Sequence, residues 1–242
     1  MIVSINSAMQ AAINGNTAMM HFSNFANDSG QIKVEEWVKI AHENNIPAFI
    51  DAAADTPPVS HLWDYAYMGY DLIAFSGGKA IRGPQCAGLL IGKKEYVANA
   101  LLNNSPHEDV IGRSQKVGKE EIVGMVKALE IFLKEDHEAL DKEWRARLDY
   151  ISAEITKIPG VTTTFPTPGI ANHVPSMDID WDERVKIKPN EVSMALKKST
   201  PSIAMGPGDG RQGLSMTSFM LQPGEEKIIA AKLVEVLKAH SA

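Results

Sequence analysis

Lys79 stands directly after Ser76, Gly77 and Gly78, and it is the only amine nucleophile at the ends of the first three predicted strands. An amine in that place can form an imine with a carbonyl compound. Asp51 closes the preceding predicted strand, 28 residues earlier. That separation is one strand–helix–strand excursion, so the two side chains reach neighbouring strand ends. A carboxylate there can keep a pyridine nitrogen protonated. Ala53 leaves room for a flat ring against the backbone, Ser76 offers a hydroxyl to a phosphate oxygen, and Asn24 can bond a ring hydroxyl. This set suits pyridoxal 5'-phosphate, whose ring acts as an electron sink and whose aldehyde needs an amine. Each residue also has a plainer reading. Lys79 can be a solvated loop lysine after a Gly-Gly turn, Asp51 a strand-end cap, Asp55 a local cap, Ser76 a turn serine and Asn24 an Asx-turn residue.

The elements that would position these residues follow from apolar patterning. Strand-length apolar runs occupy 17–22, 47–51, 71–75 and 88–92. Between the first two, Val34, Trp37, Val38 and Ala41 mark one face of an amphipathic helix. Another helix is predicted from Ser60 through Trp63, Tyr65 and Tyr67 to a stop at Gly69. Strands alternating with helices, with continuous apolar character in the strands, predict an α/β fold with a mainly parallel sheet sandwiched by helices. In open sheets of this kind ligands bind outside the carboxyl ends of the strands, where all five candidates fall. A weak helix over 7–13 precedes the first strand, which has few upstream neighbours. The sequence therefore reads as opening partway through a unit.

Beyond this large domain, assigned to 1–117, lies a proline-free helical stretch over 118–158, read as one or two long helices. Residues 159–242 read as a small C-terminal α+β domain, with strands at 161–165, 173–179 and 213–218 and helices at 190–198 and 225–239.

Composition narrows the function classes. With 44% hydrophobic and 22% charged residues the chain can bury a substantial core. Its net charge of −6 gives no basic footprint for nucleic acid or acidic lipid. No apolar run reaches the ~18 residues that a membrane span needs, and the N-terminus lacks the pattern of a signal peptide. The one cysteine, Cys86, cannot form an internal disulfide, and no zinc-type Cys/His spacing occurs. These features lead us to expect a cytoplasmic protein that acts on a small molecule. Asp178, Asp180 and Asp182 alternate without the glycine of a calcium loop, so they read as a solvated strand edge. Ala80 follows Lys79, which argues against a P-loop, and the Gly-x-Ser-x-Gly elbow is absent around Ser76.

The words FIDAAAD (49–55), FSGGKAIRGPQ (75–85) and GRSQKVGKEEI (112–122) make 46–122 resemble the fold-type I pyridoxal-phosphate enzymes. The resemblance is to the branch of selenocysteine synthase and the D-glucosaminate-6-phosphate ammonia-lyases. The segment MLQPGE (220–225) is similar to that family's small domain. The resemblance implies that Lys79 carries the cofactor as a Schiff base and that Asp51 pairs with its pyridinium. It also implies a basic stretch near the active site, to which Arg113 and Lys116 belong. Arg82, Arg113 and Lys116 are candidate substrate or phosphate ligands with plain surface positions as their alternative, and Arg211 is a candidate for a substrate carboxylate with a hairpin tip as its alternative.

The implied chemistry is an ammonia-lyase-type β-elimination on an amino acid or amino sugar acid, in a homodimer or larger oligomer. Two other readings stand beside it: a selenium or sulfur transferase acting on seryl-tRNA, and a non-catalytic fragment that folds and oligomerises. The family's N-terminal region, with its first strands and a Gly/Ser phosphate loop, has no counterpart in these words.

Overall fold

The computed structural model describes residues 5–27, 29–169, 173–207 and 213–241. The chain divides into two compact units, Met1–Glu135 with Gly169–His173, and Asp136–Pro168 with Val174–Ala242.

In the first unit a helix α1 (Ile5–Ala12) precedes strand β1 (Met20–Ser23), and helix α2 (Val34–Glu43) leads to β2 (Ala48–Asp51). Helix α3 (His61–Met68) then leads to β3 (Leu72–Ser76) and β4 (Gly88–Gly92). The strands lie in the order β1-β2-β3-β4. The first two pairings are parallel, with Ser23 opposite Asp51 and Asp51 opposite Ala74. The fourth strand runs antiparallel to β3, with Ser76 opposite Gly88. The sheet is therefore mixed. Its apolar run did not reveal this direction, because β4 returns through the turn after β3 rather than through a helical crossover. It is also less buried than its composition predicts, with Leu90 37% exposed.

Ile50 and Ile73 are fully buried at the centre of this sheet, and Val34, Val38 and Ala41 of α2 belong to the same core. Gly69 ends α3 with φ +112°, a left-handed conformation that glycine adopts without a Cβ penalty. The expected Ser60 cap is not made: its side chain accepts no bond at that helix start. Helix α4 (Lys94–Leu102), which the sequence reading did not anticipate, has no buried residue, so its apolar spacing is weak. Helix α5 (Lys119–Phe132) contributes Met125 and Phe132 to the core of this unit.

The second unit begins with α6 (His137–Ile155), started by the Asp136 side chain, which accepts from the Ala139 N–H at 3.0 Å. Strands β5 (Val161–Thr164), β6 (Ser176–Trp181), β7 (Gly206–Pro207) and β8 (Leu214–Thr217) form a sheet in the order β5-β6-β8-β7. Helices α7 (Pro189–Lys197) and α8 (Glu225–Lys238) complete the unit. Leu148, Ile151 and Ile155 of α6 and Leu233 and Leu237 of α8 are fully buried with Met177 and Ile179 of β6. The solvated-edge reading of the alternating aspartates is corrected here. β6 is an interior strand paired on both sides, and Asp178 is buried within it.

Candidate active site

The parallel strands carry the candidate residues at their carboxyl ends. Ala52 N–H donates to the Ala74 carbonyl at 2.9 Å, and Ser76 N–H donates to the Ala53 carbonyl at 3.4 Å. These bonds bring the chain after β2 alongside the end of β3, so Asp51, Ala53 and Ser76 share one edge. Asp51 is half-buried, and its Oδ1 accepts the Ala53 N–H at 3.0 Å. Its second oxygen, the Ser76 hydroxyl and the exposed Lys79 amine have no hydrogen-bond or ion-pair partner among the described residues. An anion, a hydroxyl and an amine thus keep free valences on neighbouring strand ends.

The turn that carries Lys79 is set by packing. Gly83 N–H donates to the Gly77 carbonyl at 2.7 Å, and Arg82 N–H donates to the Lys79 carbonyl at 2.8 Å. A Cβ on Gly77 would come within 2.5 Å of Met125 Sδ and 2.6 Å of the Ala87 carbonyl oxygen. Gly77 is therefore required by close approach of the backbone to itself, and Lys79 in the same turn is exposed.

Asn24 and Asp55 are placed differently from the other candidates. Asn24, immediately after β1, is 1% exposed, and its Nδ2 donates to Asp55 Oδ2 and, at 2.8 Å, to the Tyr65 hydroxyl. The Tyr65 hydroxyl donates in turn to Asp55 Oδ2 at 2.7 Å. His61 Nδ1 lies 2.6 Å from the Asp55 carbonyl oxygen. Burial pushes the Asp55 carboxyl above the ordinary carboxylate range, against the bonds from Asn24 and Tyr65 and with the nearby Asp51 charge adding to the rise. Burial, with Asp55 beside it, also pushes the Tyr65 phenol up. The local-cap reading of Asp55 is thereby corrected: it is a buried junction between three elements. Tyr65 and His61 were missed because they read only as helix residues. The sequence separation of 31 residues between Asn24 and Asp55 gives no local signal.

Among the cationic candidates, Arg82 is exposed with φ +58° and Lys116 is exposed. Arg113 is half-buried, with Nη1 3.3 Å from the Ser105 hydroxyl oxygen. Arg211 lies outside the described residues. An apolar groove of about 730 Å³ runs beside β4 and α5, lined by Leu89, Leu101, Val117, Ile122, Met125 and Lys116 among others. It includes none of Asn24, Asp51, Ala53, Ser76 or Lys79. Among the described residues no cluster suits a metal ion, and no helix is long and apolar enough to cross a membrane.

The arrangement is that of an α/β protein in which Asp51 closes one parallel strand and Lys79 lies in the turn after the next. Residues 4–207 match the aminotransferase class-V family model, and the chain belongs to that family. It is 26% identical over 252 residues to the D-glucosaminate-6-phosphate ammonia lyase of Salmonella typhimurium (strain 14028s / SGSC 2262), covering 97% of this chain and 61% of that protein. It is 27% identical over 179 residues to an L-seryl-tRNA(Sec) selenium transferase of Aquifex aeolicus (strain VF5), covering 63% of this chain and 37% of the relative. A solved D-glucosaminate-6-phosphate ammonia-lyase shares the fold with a TM-score of 0.73 at 22% identity, over 97% of this chain and 61% of that one. A structure of SPT containing PLP superimposes with a TM-score of 0.59 at 9% identity, over 98% of this chain and 59% of that one. The chain thus spans less than two thirds of the length of the relatives it matches.

Proposed function

We propose that this chain forms the lysine-bearing part of a pyridoxal-phosphate enzyme that carries out an ammonia-lyase-type β-elimination on an amino acid or amino sugar acid. The observation that carries the reading is the set of groups without partners among the described residues at and just beyond the carboxyl ends of β2 and β3: one oxygen of Asp51, Ser76 Oγ and, in the turn that follows, Lys79 Nζ. They match an aldehyde, a phosphate and a pyridinium in chemical type. When bound, the cofactor supplies an electron sink for charge that develops at the substrate α-carbon. Asp51 would hold a proton on the ring nitrogen, the short side chain of Ala53 would leave room for the ring, and Ser76 would donate to the phosphate. Lys79 would anchor the cofactor, and its amine would serve as the base for the proton of the α-carbon. The kinship with an amino-sugar-acid lyase favours elimination. Transfer to seryl-tRNA has support from the selenium transferase relatives, but the net charge of −6 offers an RNA backbone little attraction.

The reading includes assembly into a homodimer or larger oligomer. In the first unit Leu101 is 60% exposed, Val123 68% and Ile111 92%, apolar side chains that a second copy would cover. Light scattering on the purified chain checks this, and a monomer at all concentrations refutes it.

The function is tested by intact-mass analysis of wild type and Lys79→Ala, each incubated with pyridoxal phosphate and reduced with borohydride. One cofactor mapped to Lys79, and none in the variant, supports it. Equal labelling of scattered surface lysines in both proteins refutes it and leaves a non-catalytic oligomerising fragment.

A further inference from the structure

The buried junction at Asp55 does work that the proposed site residues do not explain. Loop 51–55 carries both Asp51 and Ala53. Its near half is tied to β3 by Ala52 N–H to the Ala74 carbonyl and by Ser76 N–H to the Ala53 carbonyl, and local bonds run from Ala53 N–H to Asp51 Oδ1 at 3.0 Å and from Asp55 N–H to the Ala52 carbonyl at 3.1 Å. Its far end is fixed from outside. Asp55 is 1% exposed and receives the Asn24 amide from the end of β1 and the Tyr65 hydroxyl from α3, while His61 of α3 meets its carbonyl. Asn24 also reaches Tyr65, which closes a three-membered ring of hydrogen bonds. The ring bonds Asn24 Nδ2, the Tyr65 hydroxyl and Asp55 Oδ2, while Asn24 Oδ1 stays buried without a partner among the described residues; leaving further buried polar atoms unbonded is costly, which favours this arrangement over others. A solvated turn would need none of it.

We propose that Asp55, through Asn24 and Tyr65, is a positioning residue that clamps loop 51–55 between β1 and α3 and so fixes where Asp51 and Ala53 face. This rests on the reading of Asp51 as the cofactor's ring partner, although the clamp itself is a property of the cofactor-free fold. The acceptor matters more than the charge. Asp55 takes two bonds on a single oxygen, and burial favours its neutral form. An asparagine can supply the same acceptor, whereas an alanine cannot.

The test compares Asp55→Ala, Asp55→Asn and Tyr65→Phe with wild type. Amide hydrogen exchange is read first, in the cofactor-free protein. Asp55→Ala is expected to speed exchange at Ala53 and Asp55 by about tenfold or more relative to Ile50 and Ile73 in the adjacent strands. Tyr65→Phe, which keeps the ring's volume, is expected to give a smaller rise at the same amides, and Asp55→Asn to restore near wild-type exchange. The second readout is the pH midpoint of the visible band given by pyridoxal phosphate fixed at Lys79. A ring nitrogen less firmly held by Asp51 withdraws fewer electrons from the lysine-linked nitrogen, so the midpoint is expected to rise in Asp55→Ala and return in Asp55→Asn. A folded Asp55→Ala protein whose exchange at Ala53 rises no more than at Ile50 and Ile73 would overturn the clamp. So would an unchanged band midpoint in that variant. If wild type fixes no cofactor at Lys79, the proposed function fails, and the exchange measurement still decides the clamp.

Discussion

Asp71 offers the sharpest energetic test of the first unit. It lies immediately before β3, at the end of the strand away from Ser76, and its side chain is 2% exposed. Its Oδ2 accepts the Ala48 N–H of β2 at 2.7 Å and lies 3.0 Å from His42 Nε2, while its Oδ1 meets Lys93 Nζ at 2.5 Å. One carboxylate therefore ties α2, β2 and the start of α4 to β3. In Asp71→Ala the buried Ala48 N–H loses its acceptor, which costs about 1–3 kcal/mol. Lys93 is 58% exposed, so its ion pair adds no more than about 1 kcal/mol after solvent screening. The total is about 1–4 kcal/mol, its upper end reaching the cost of breaking a buried pair on one side. That lowers exchange protection at Ile50 and Ile73 by about 5- to 1,000-fold.

Asp71→Asn keeps an acceptor for Ala48 and is expected to cost about 1 kcal/mol. Burial pushes the Asp71 carboxyl up, but the bonds from Lys93, Ala48 and His42 outweigh it and hold it below the ordinary range. A carboxyl lowered by folding contributes its full stabilisation above the ordinary carboxylate range and loses it as pH falls through the folded value. Wild type should therefore lose more stability than Asp71→Ala between neutral and strongly acidic pH. A cost below about 1 kcal/mol, or parallel acid profiles for the two proteins, refutes the reasoning.

Other substitutions probe other links. Gly77→Ala places a Cβ 2.5 Å from Met125 Sδ and 2.6 Å from the Ala87 carbonyl oxygen, so it should destabilise the first unit by about 1–3 kcal/mol. Adding Met125→Ala should not restore it, because the backbone contact remains; urea unfolding of the single and double variants checks this. In the second unit Leu233→Ala empties a fully buried site between α8 and its core and should cost about 2–5 kcal/mol, read by circular dichroism during denaturation. Ser218→Ala removes a buried hydroxyl that donates to the Trp144 carbonyl at 2.7 Å, for a loss of about 1 kcal/mol in the same assay. Asp182 and Arg184 form an exposed pair, and Asp182→Ala should leave the unfolding midpoint unchanged.

Periodicity and punctuation determined the local elements of this protein. Apolar spacing placed α2, α3, α8 and the first three strands within a few residues, because the 3.6- and 2-residue repeats record which face must leave water. Gly69 marked the end of α3 by the same local chemistry. The words around Asp51 and Lys79 pointed to strand ends and to a cofactor with an aldehyde and a ring nitrogen.

Tertiary structure decided what depends on partners distant in sequence. The antiparallel sense of β4 follows from its pairing with β3, and the interior place of Asp178 follows from strands on both sides of β6. Asn24, Asp55 and Tyr65 carry no mutual signal in the sequence, and each taken alone reads as a turn or helix residue. Their joint burial makes them a network, because polar groups withdrawn from water are stabilised by hydrogen bonds inside the protein, wherever the fold brings a partner.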